Sequence, residues 1–109
     1  MLDMPNSRDL EDVLWRRLPA GKVTTYSMVS LWGYDVPTKN QPVGSMLRGM
    51  RNRGLIELTN RVVSEYGTLV NLPDGPCQQR TQLENEGIPF TDDGRVDFNR
   101  IDPVDLRDG

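Results

Sequence analysis

The chain contains no histidine and a single cysteine, Cys77, among its 109 residues. Without histidine, the Ser-His-Asp and Cys-His forms of nucleophilic catalysis are excluded, and so are metal sites built on imidazole. One cysteine can form neither an internal disulfide nor a zinc cluster, and this favours a reducing compartment. The acidic residues do not show the spacing of a calcium loop. We therefore expect neither a metal nor any other cofactor.

Apolar residues are also scarce, at 36% of the chain. A chain of 109 residues is long enough for one domain with a modest core. It has no apolar run of membrane-spanning length and no basic-then-apolar leader. We therefore expect a monomeric, cytoplasmic protein without a membrane partner, associated with the nucleoid if it is bacterial, while a nuclear location stays open. Residues 1–109 should form one domain, with about 1–6 and 102–109 flexible.

The net charge of −3 is distributed unevenly along the chain. Residues 22–63 hold six basic and two acidic side chains, for +4, whereas residues 64–109 hold four arginines and ten acidic side chains, for −6. A basic surface can attract phosphates even when the whole chain is acidic. Taken alone, however, the charge pattern favours ordinary solvated side chains.

Helical periodicity is strongest near the N-terminus and again in the middle of the chain. An amphipathic helix is predicted over 8–18, with Ser7 as its N-cap. A second helix should begin at Tyr26, capped by Thr25, and stop near residue 33. A third is predicted over 41–50, after a cap at Asn40. Two short helices separated by a loop are the layout of a helix-turn-helix.

The second half of the chain combines short strands with one more helix. Residues 66–70 suggest a tight turn between two strands, as in the wing of a winged helix. A helix is predicted over 77–86, closed by Gly87, and a small hairpin with an Asp-Gly turn over 90–97. We expect a polar, disordered tail from about residue 102. The predicted fold is therefore mainly α with a small β wing, a single winged helix-turn-helix domain.

Three segments resemble one protein family in order and spacing. Residues 19–26 read Pro-Ala-Gly-Lys-Val-Thr-Thr-Tyr, and Val43-Gly44 is followed by Leu47-Arg48. Asn60-Arg61-Val62-Val63 is followed by Gly67 and, further on, by Gln79-Arg80, Leu83-Glu84 and Glu86-Gly87. These segments, with the closing Gly-Arg-Val-Asp-Phe of residues 94–98, resemble the DNA-binding domain of 6-O-alkylguanine-DNA alkyltransferases. They are most similar to its non-enzymatic relatives, the alkyltransferase-like proteins, over roughly residues 8–100.

The resemblance implies that the chain binds the minor groove of duplex DNA with the helix-turn-helix and flips a damaged nucleotide into a pocket. Tyr26 would then hydrogen-bond to the phosphate beside the flipped base, although a half-buried aromatic explains it as well. Gly44 would let the helix backbone approach the groove closely. Arginines at 48, 51, 53 and 61 are candidate phosphate contacts. The DNA-binding residues implied are Thr24, Thr25, Tyr26, Asn40, Gln41, Gly44, Ser45, Arg48 and Arg61.

The chain departs from the family where the chemistry takes place. The alkyl-acceptor cysteine falls on Thr59, and the histidine beside it falls on Asn60. A threonine hydroxyl is a poor nucleophile without a base, and asparagine is not a base. In the family, the residue at the position of Glu86 ends the hydrogen-bond relay that runs through the histidine to the acceptor cysteine. Without that histidine and cysteine, we expect Glu86 to be structural. Cys77 is out of place as an acceptor. We expect no enzyme activity.

Two further departures concern recognition. In the family, an arginine enters the duplex and fills the space that the flipped base leaves. That position is Gln41 here, followed by Pro42. Lys39 is a weaker candidate for the same role. Many alkyltransferase-like proteins carry tryptophan at the position of Thr59. A threonine there suggests a roomier pocket that accepts bulky 6-O-alkylguanines, or a lost damage preference. The lesion pocket implied consists of Tyr26, Leu58, Thr59, Asn60, Val62 and Asn71.

The leading interpretation is a non-catalytic protein that holds 6-O-alkylguanine in double-stranded DNA and presents it to another pathway, with nucleotide-excision-repair proteins as partners. The alternative is a winged-helix DNA-binding or regulatory module without lesion recognition, in which Gln41 contacts a base or the backbone. A true alkyltransferase would need Cys77 or Thr59 as its acceptor. A protein-binding adaptor would use the acidic residues of 64–109.

Overall fold

The computed structural model describes residues 6–69 and 76–107, except for the side chains of residues 76 and 77. Helices and short strands alternate in these ranges. Two strands pair, and the remaining regular structure is helical. The elements are α1 (Ser7–Arg17), β1 (Thr24–Thr25), α2 (Tyr26–Tyr34), α3 (Asn40–Asn52), α4 (Ile56–Thr59), β2 (Val62–Val63) and α5 (Pro76–Asn85).

Helix α1 begins one residue earlier than predicted. The N-cap is Asn6, not Ser7, and the Asn6 side chain accepts hydrogen bonds from the backbone N–H groups of Arg8 and Asp9. The Asp9 carboxylate accepts in return from the Asn6 N–H at 3.3 Å. Asparagine caps as well as serine does, and the acidic residue three positions later completes a reciprocal capping box.

Helices α2 and α3 pack against each other and are joined by a loop that Ser30 holds in place. The Thr25 hydroxyl accepts from the Met28 N–H at 3.1 Å, which confirms the predicted cap of α2. The buried Ser30 hydroxyl donates to the Val36 carbonyl and accepts from the Lys39 N–H. Helix α3 already includes Asn40, so that residue is not the cap. The cap position is Lys39, which makes no side-chain cap hydrogen bond.

The turn of the predicted wing is present, but its two strands are not confirmed within the described residues. Strand β2 pairs with β1 in parallel, with Thr24 opposite Val62 and Thr25 opposite Val63. The segment after β2 makes a turn, in which the Gly67 N–H donates to the Ser64 carbonyl. Gly67 has a φ of 83°, and its carbonyl accepts from the Val96 N–H at 2.9 Å. The strand pairing of a wing is absent up to residue 69, and Val70 lies outside the described residues.

Two apolar clusters stabilise the described part of the chain. The first joins α1, α2, α3 and α4 and includes Leu10, Leu47 and Leu58. The second lies between the strands, α5 and the C-terminal hairpin, and includes Val63 and Leu83. The buried residues of both clusters are at most 8% exposed. Both clusters therefore exclude water.

The C-terminal elements largely follow the prediction. After α5, Gly87 takes a left-handed φ of 86°, and the Ile88 N–H donates to the Leu83 carbonyl, as in a glycine C-cap. Phe90 and Val96 form an antiparallel bridge. The expectation of a disordered tail from residue 102 was wrong for residues 102–107. The Val104 N–H bonds the Val23 carbonyl at 2.8 Å, and Leu106 is buried in the first cluster.

None of the described helices is long and apolar enough to cross a membrane.

Candidate nucleic-acid interface

Tyr26 is the first residue of α2, and its ring is half-buried against the first apolar cluster. Burial raises the pKa of the Tyr26 phenol above its ordinary value, although the charges of Arg48 and Arg51 act to lower it. Tyr26 is therefore a neutral phenol at physiological pH, next to two guanidinium groups of α3. A neutral phenol can donate a hydrogen bond to a phosphate oxygen.

A cavity of about 350 Å³ lies beside Tyr26. It is bounded by the start of α2, the start of α3 and the segment after β2. Its volume falls in the range of roughly 300–1,000 Å³ that is typical of small-molecule sites. The described residues that line it are Tyr26, Ser27, Asn40, Ser64, Glu65, Tyr66, Thr68 and Leu69.

Only Tyr26 of the predicted pocket residues is found in this lining. Asn71 lies outside the described residues. Leu58, Thr59, Asn60 and Val62 are each at most 5% exposed, and they lie in the interior of the fold. The prediction that they line the pocket is wrong for this cavity, because α4 and β2 turn these side chains into the core. The expected widening of the pocket by a threonine at position 59 therefore does not apply to it.

A hydrogen-bond network runs through the interior at the position of the missing acceptor. The Thr59 hydroxyl donates to the Ile56 carbonyl at 3.0 Å. Arg51 Nη1 lies 3.4 Å from Thr59 Oγ1 and 3.3 Å from Asn60 Oδ1. Asn60 Nδ2 then donates to Gln82 Oε1 at 2.9 Å. The two side chains are thus held in structural hydrogen bonds, and neither Arg51 nor Asn60 is a base that could activate the hydroxyl.

Arg61 is not an exposed phosphate contact. Its side chain is 10% exposed and pairs with Glu86, with Arg61 Nη2 2.8 Å from Glu86 Oε2. Arg61 Nη1 also donates to the Leu18 carbonyl. The prediction that Arg61 contacts DNA is therefore corrected, because its guanidinium stabilises the interior. The expectation that Glu86 is structural is confirmed by the same contacts.

Thr24 and Thr25 are also committed to the fold. Thr24 is fully buried, and its hydroxyl donates to the Val104 carbonyl at 2.7 Å. Thr25 is 3% exposed, and its hydroxyl caps α2. Neither hydroxyl is available as a phosphate donor. Similarly, Arg53 forms an ion pair with Glu11 at 2.9 Å, which leaves it a poor candidate for a phosphate contact.

The remaining predicted DNA contacts share one exposed face of α3. Residues 41, 45 and 48 recur at spacings of four and three, which places them on the same side of a helix. Gly44 lies on this side too, and a Cβ built there would meet no atom within 4 Å. The fold therefore does not need a glycine at this position. This face, called the α3 face below, consists of Asn40, Gln41, Gly44, Ser45 and Arg48.

The sequence did not lead us to Ser27, Glu65 or Tyr66, although all three line the cavity. The parallel pairing of Thr25 with Val63 explains their position. Chains that leave two parallel strands exit at the same edge of a sheet. Residues 26–27 and 64–65 are therefore neighbours, and the Ser27 hydroxyl donates to Glu65 Oε2 at 3.1 Å. The missed signal was the pairing of two two-residue strands whose partners are 38 positions apart, which local patterns do not reveal.

Known structures include one with a clearly related architecture. The fold of this chain is similar to that of S. pombe Atl1. That protein was crystallised in complex with damaged DNA containing O6-carboxymethylguanine. The TM-score is 0.64 at 22% sequence identity, over 89% of this chain and 95% of that chain. The resemblance to alkyltransferase-like proteins is thus confirmed at the level of the fold. No family model and no curated protein matches the chain.

Proposed function

We propose that this chain recognises damaged guanine in duplex DNA without chemistry, by flipping 6-O-alkylguanine from the minor-groove side into the cavity beside Tyr26. The single observation that carries the proposal is the position of this cavity. It lies beside the α3 face, on a fold similar to one crystallised on damaged DNA. In this proposal α2 and α3 act as a helix-turn-helix.

The α3 face and the cavity are suited to act together. Asn40 belongs to both, because it begins α3 and lines the cavity. Gln41 and Arg48 are exposed beside it and can approach bases and phosphates. Flipping a base costs a few kcal/mol, and least for a damaged pair. Contacts of the base inside the cavity and of the backbone with the α3 face would offset that cost.

The interior hydrogen bonds of Thr59 support a role without catalysis. An alkyl acceptor must reach the 6-oxygen substituent as an activated nucleophile. The Thr59 side chain is 5% exposed and donates to a backbone carbonyl. Held in this way, it is not positioned to attack. A protein that binds a lesion without removing it must pass it on, and we propose nucleotide-excision-repair proteins as the recipients.

The test is a fluorescence-anisotropy titration with two short duplexes that differ only by one 6-O-methylguanine, each at two salt concentrations. Tighter binding to the modified duplex is the expected result. Equal, salt-sensitive binding to both would leave a general DNA-binding module and contradict lesion recognition. Binding to neither would contradict DNA binding altogether.

Flipping and chemistry are tested separately. The fluorescence of a 2-aminopurine placed beside the lesion should increase when the stacked neighbouring base leaves the duplex. Mass spectrometry of the protein after incubation with the modified duplex should show no added alkyl group. A mass increase would contradict the non-catalytic role, and its position in the chain would identify the acceptor.

A further inference from the structure

The cavity beside Tyr26 contains one ionisable carboxylate. Glu65 is the only Asp, Glu, Lys or Arg among the described residues that line the cavity. The Glu65 side chain is held by a hydrogen bond, since Ser27 Oγ lies 3.1 Å from Glu65 Oε2. Ser27 is the second residue of α2, so this hydrogen bond holds the exposed carboxylate near the start of that helix.

We propose that Glu65 makes this cavity select neutral 6-O-alkylguanines and reject those with an anionic substituent. The inference rests on the proposed function and adds the chemical class of the lesion. A carboxymethyl group on the guanine 6-oxygen carries a negative charge, and a methyl group does not. In a cavity of about 350 Å³, a bound anionic substituent lies within a few ångströms of the Glu65 carboxylate.

The chemistry of the guanine ring agrees with this assignment. A 6-O-alkylguanine keeps its exocyclic amino group, which can donate a hydrogen bond to a carboxylate. Glu65 can therefore contribute to holding the neutral base while it repels an anionic substituent. Tyr66 is 69% exposed and lines the same cavity, so its ring is available to stack on a flipped base.

Two arginines of α3 lie near the cavity without being among its described lining residues. Arg48 and Arg51 act electrostatically on Tyr26 from α3. Neither is among the lining residues, and Arg51 is directed towards Thr59 and Asn60 in the interior. Arg48 is exposed on the α3 face, where phosphates would neutralise it. Among the described lining residues, Glu65 thus carries the charge that a base inside the cavity would contact.

The experiment compares three duplexes of one sequence, with guanine, 6-O-methylguanine or 6-O-carboxymethylguanine at the test position. The protein should bind the methylated duplex about three- to tenfold more tightly than the carboxymethylated one. The Glu65→Gln variant should bind the two equally. Glu57→Gln is the matched control, because Glu57 is an exposed glutamate that lines a different groove, and it should keep the preference.

A second variant tests the positioning of the carboxylate. Ser27→Ala removes the hydrogen bond that holds Glu65, so the ratio between the affinities for the methylated and the carboxymethylated duplex should decrease. Circular-dichroism melting curves confirm that each variant is folded. The ratio of the two affinities is the readout, since any loss of an acidic residue strengthens binding to all duplexes alike.

Two results would overturn the inference, and they are distinguishable. If the methylated duplex binds more tightly than the unmodified one, but Glu65→Gln keeps the same ratio between methyl and carboxymethyl, the selectivity assigned to Glu65 is wrong and lesion recognition remains. If neither modified duplex binds more tightly than the unmodified one, the proposed function fails and this inference fails with it.

Discussion

Arg61 and Glu86 form a bidentate ion pair in the interior. Arg61 Nε lies 3.0 Å from Glu86 Oε1, and Arg61 Nη2 lies 2.8 Å from Glu86 Oε2. The same carboxylate accepts from the Gly21 N–H at 3.3 Å and from Gln82 Nε2 at 3.1 Å. Through these contacts, Glu86 connects α5 to the turn that precedes β1 and to the residue that precedes β2. These contacts lie at the edge where both strands begin, opposite the edge from which the cavity walls leave the sheet.

Replacing Glu86 with glutamine should lower the free energy of unfolding by roughly 3 kcal/mol at neutral pH, because it leaves a buried guanidinium without its counter-charge. Chemical denaturation at pH 7 measures the loss. Glu84→Gln is the matched control, because Glu84 forms an exposed ion pair with Arg80 and should change the stability by less than about 1 kcal/mol. Equal losses in the two variants would contradict a structural role for the interior pair.

The contribution of Glu86 should also depend on pH. Burial opposes its ionisation, but hydrogen bonds from Arg61, Gly21 and Gln82, together with the Arg61 charge, outweigh burial and lower its pKa below 4.5. A carboxyl with a lowered pKa in the folded state stabilises the fold above its unfolded pKa, and this stabilisation disappears as the pH falls through the folded pKa. The stability difference between the parent and Glu86→Gln should therefore shrink as the pH falls below about 4.5. A difference that is constant down to pH 2 would contradict this coupling.

The Tyr26 hydroxyl should matter for DNA and not for folding. Tyr26→Phe keeps the half-buried ring and removes the donor, so affinity for the methylated duplex should fall by about 1 to 2 kcal/mol. Tyr34→Phe is the control, since Tyr34 packs against the same apolar cluster at the other end of α2. Anisotropy titration compares the two. Similar affinities for both variants would indicate that the Tyr26 ring is only a packing element.

Gly44 offers a test of the α3 face. Gly44→Ala should stabilise helix α3 by up to about 1 kcal/mol, because alanine favours a helix and the added methyl meets no atom of the chain. It should nevertheless weaken DNA binding, since the methyl separates the helix backbone from the groove. Gly49→Ala is the control within α3, because that methyl contacts Ser7 of α1 at 3.9 Å and points away from the α3 face. A stabilised Gly44→Ala variant with unchanged affinity would show that the groove does not approach this position.

Gln41 can be tested by adding the missing cation. Gln41→Arg should raise affinity for the methylated duplex more than for the unmodified one, because a longer, stacking side chain can fill the space that a flipped base leaves. Ser45→Arg adds the same charge one turn further along the exposed face of α3. It should strengthen binding to both duplexes equally through phosphates alone. Equal enhancement by both variants would argue against a filling role for position 41.

The local elements could be predicted well from the sequence because their signals are local. The Thr25 cap, the glycine after α5 and the helical periodicity of α1 depend only on near neighbours. The strands of the predicted wing are not confirmed within the described residues, and the pairing that is present was not predicted. Residues that can turn and extend were recognised at 66–70, but the partner of β2 is β1, on the other side of α2 and α3 in sequence. Such a pairing depends on the global packing and not on local propensity.

The candidate site was predictable only in part for the same reason. The residues of the α3 face were implied by the family resemblance, and helical spacing places them on one side of α3. Arg61 and Thr24 carry groups that suit phosphate binding, yet tertiary contacts with Glu86 and Val104 occupy them. The composition of the chain cannot tell a solvated arginine from one that is paired in the core. Conversely, Glu65 became part of the site through strand pairing, which brings it next to Ser27.

The hydrogen bond from the Val96 N–H to the Gly67 carbonyl connects one wall of the cavity to the C-terminal hairpin. The cavity wall at residues 64–69 is fixed to the C-terminal hairpin, since a Cβ on Gly67 would lie 2.5 Å from the Val96 carbonyl oxygen. Helix α3, by contrast, packs in the first apolar cluster. The wall and helix α3 therefore pack in different apolar clusters. We predict that in hydrogen exchange the Val96 amide opens together with the hairpin and independently of the α3 amides. In the proposed function, such opening would let the pocket admit a bulky base while α3 keeps its place.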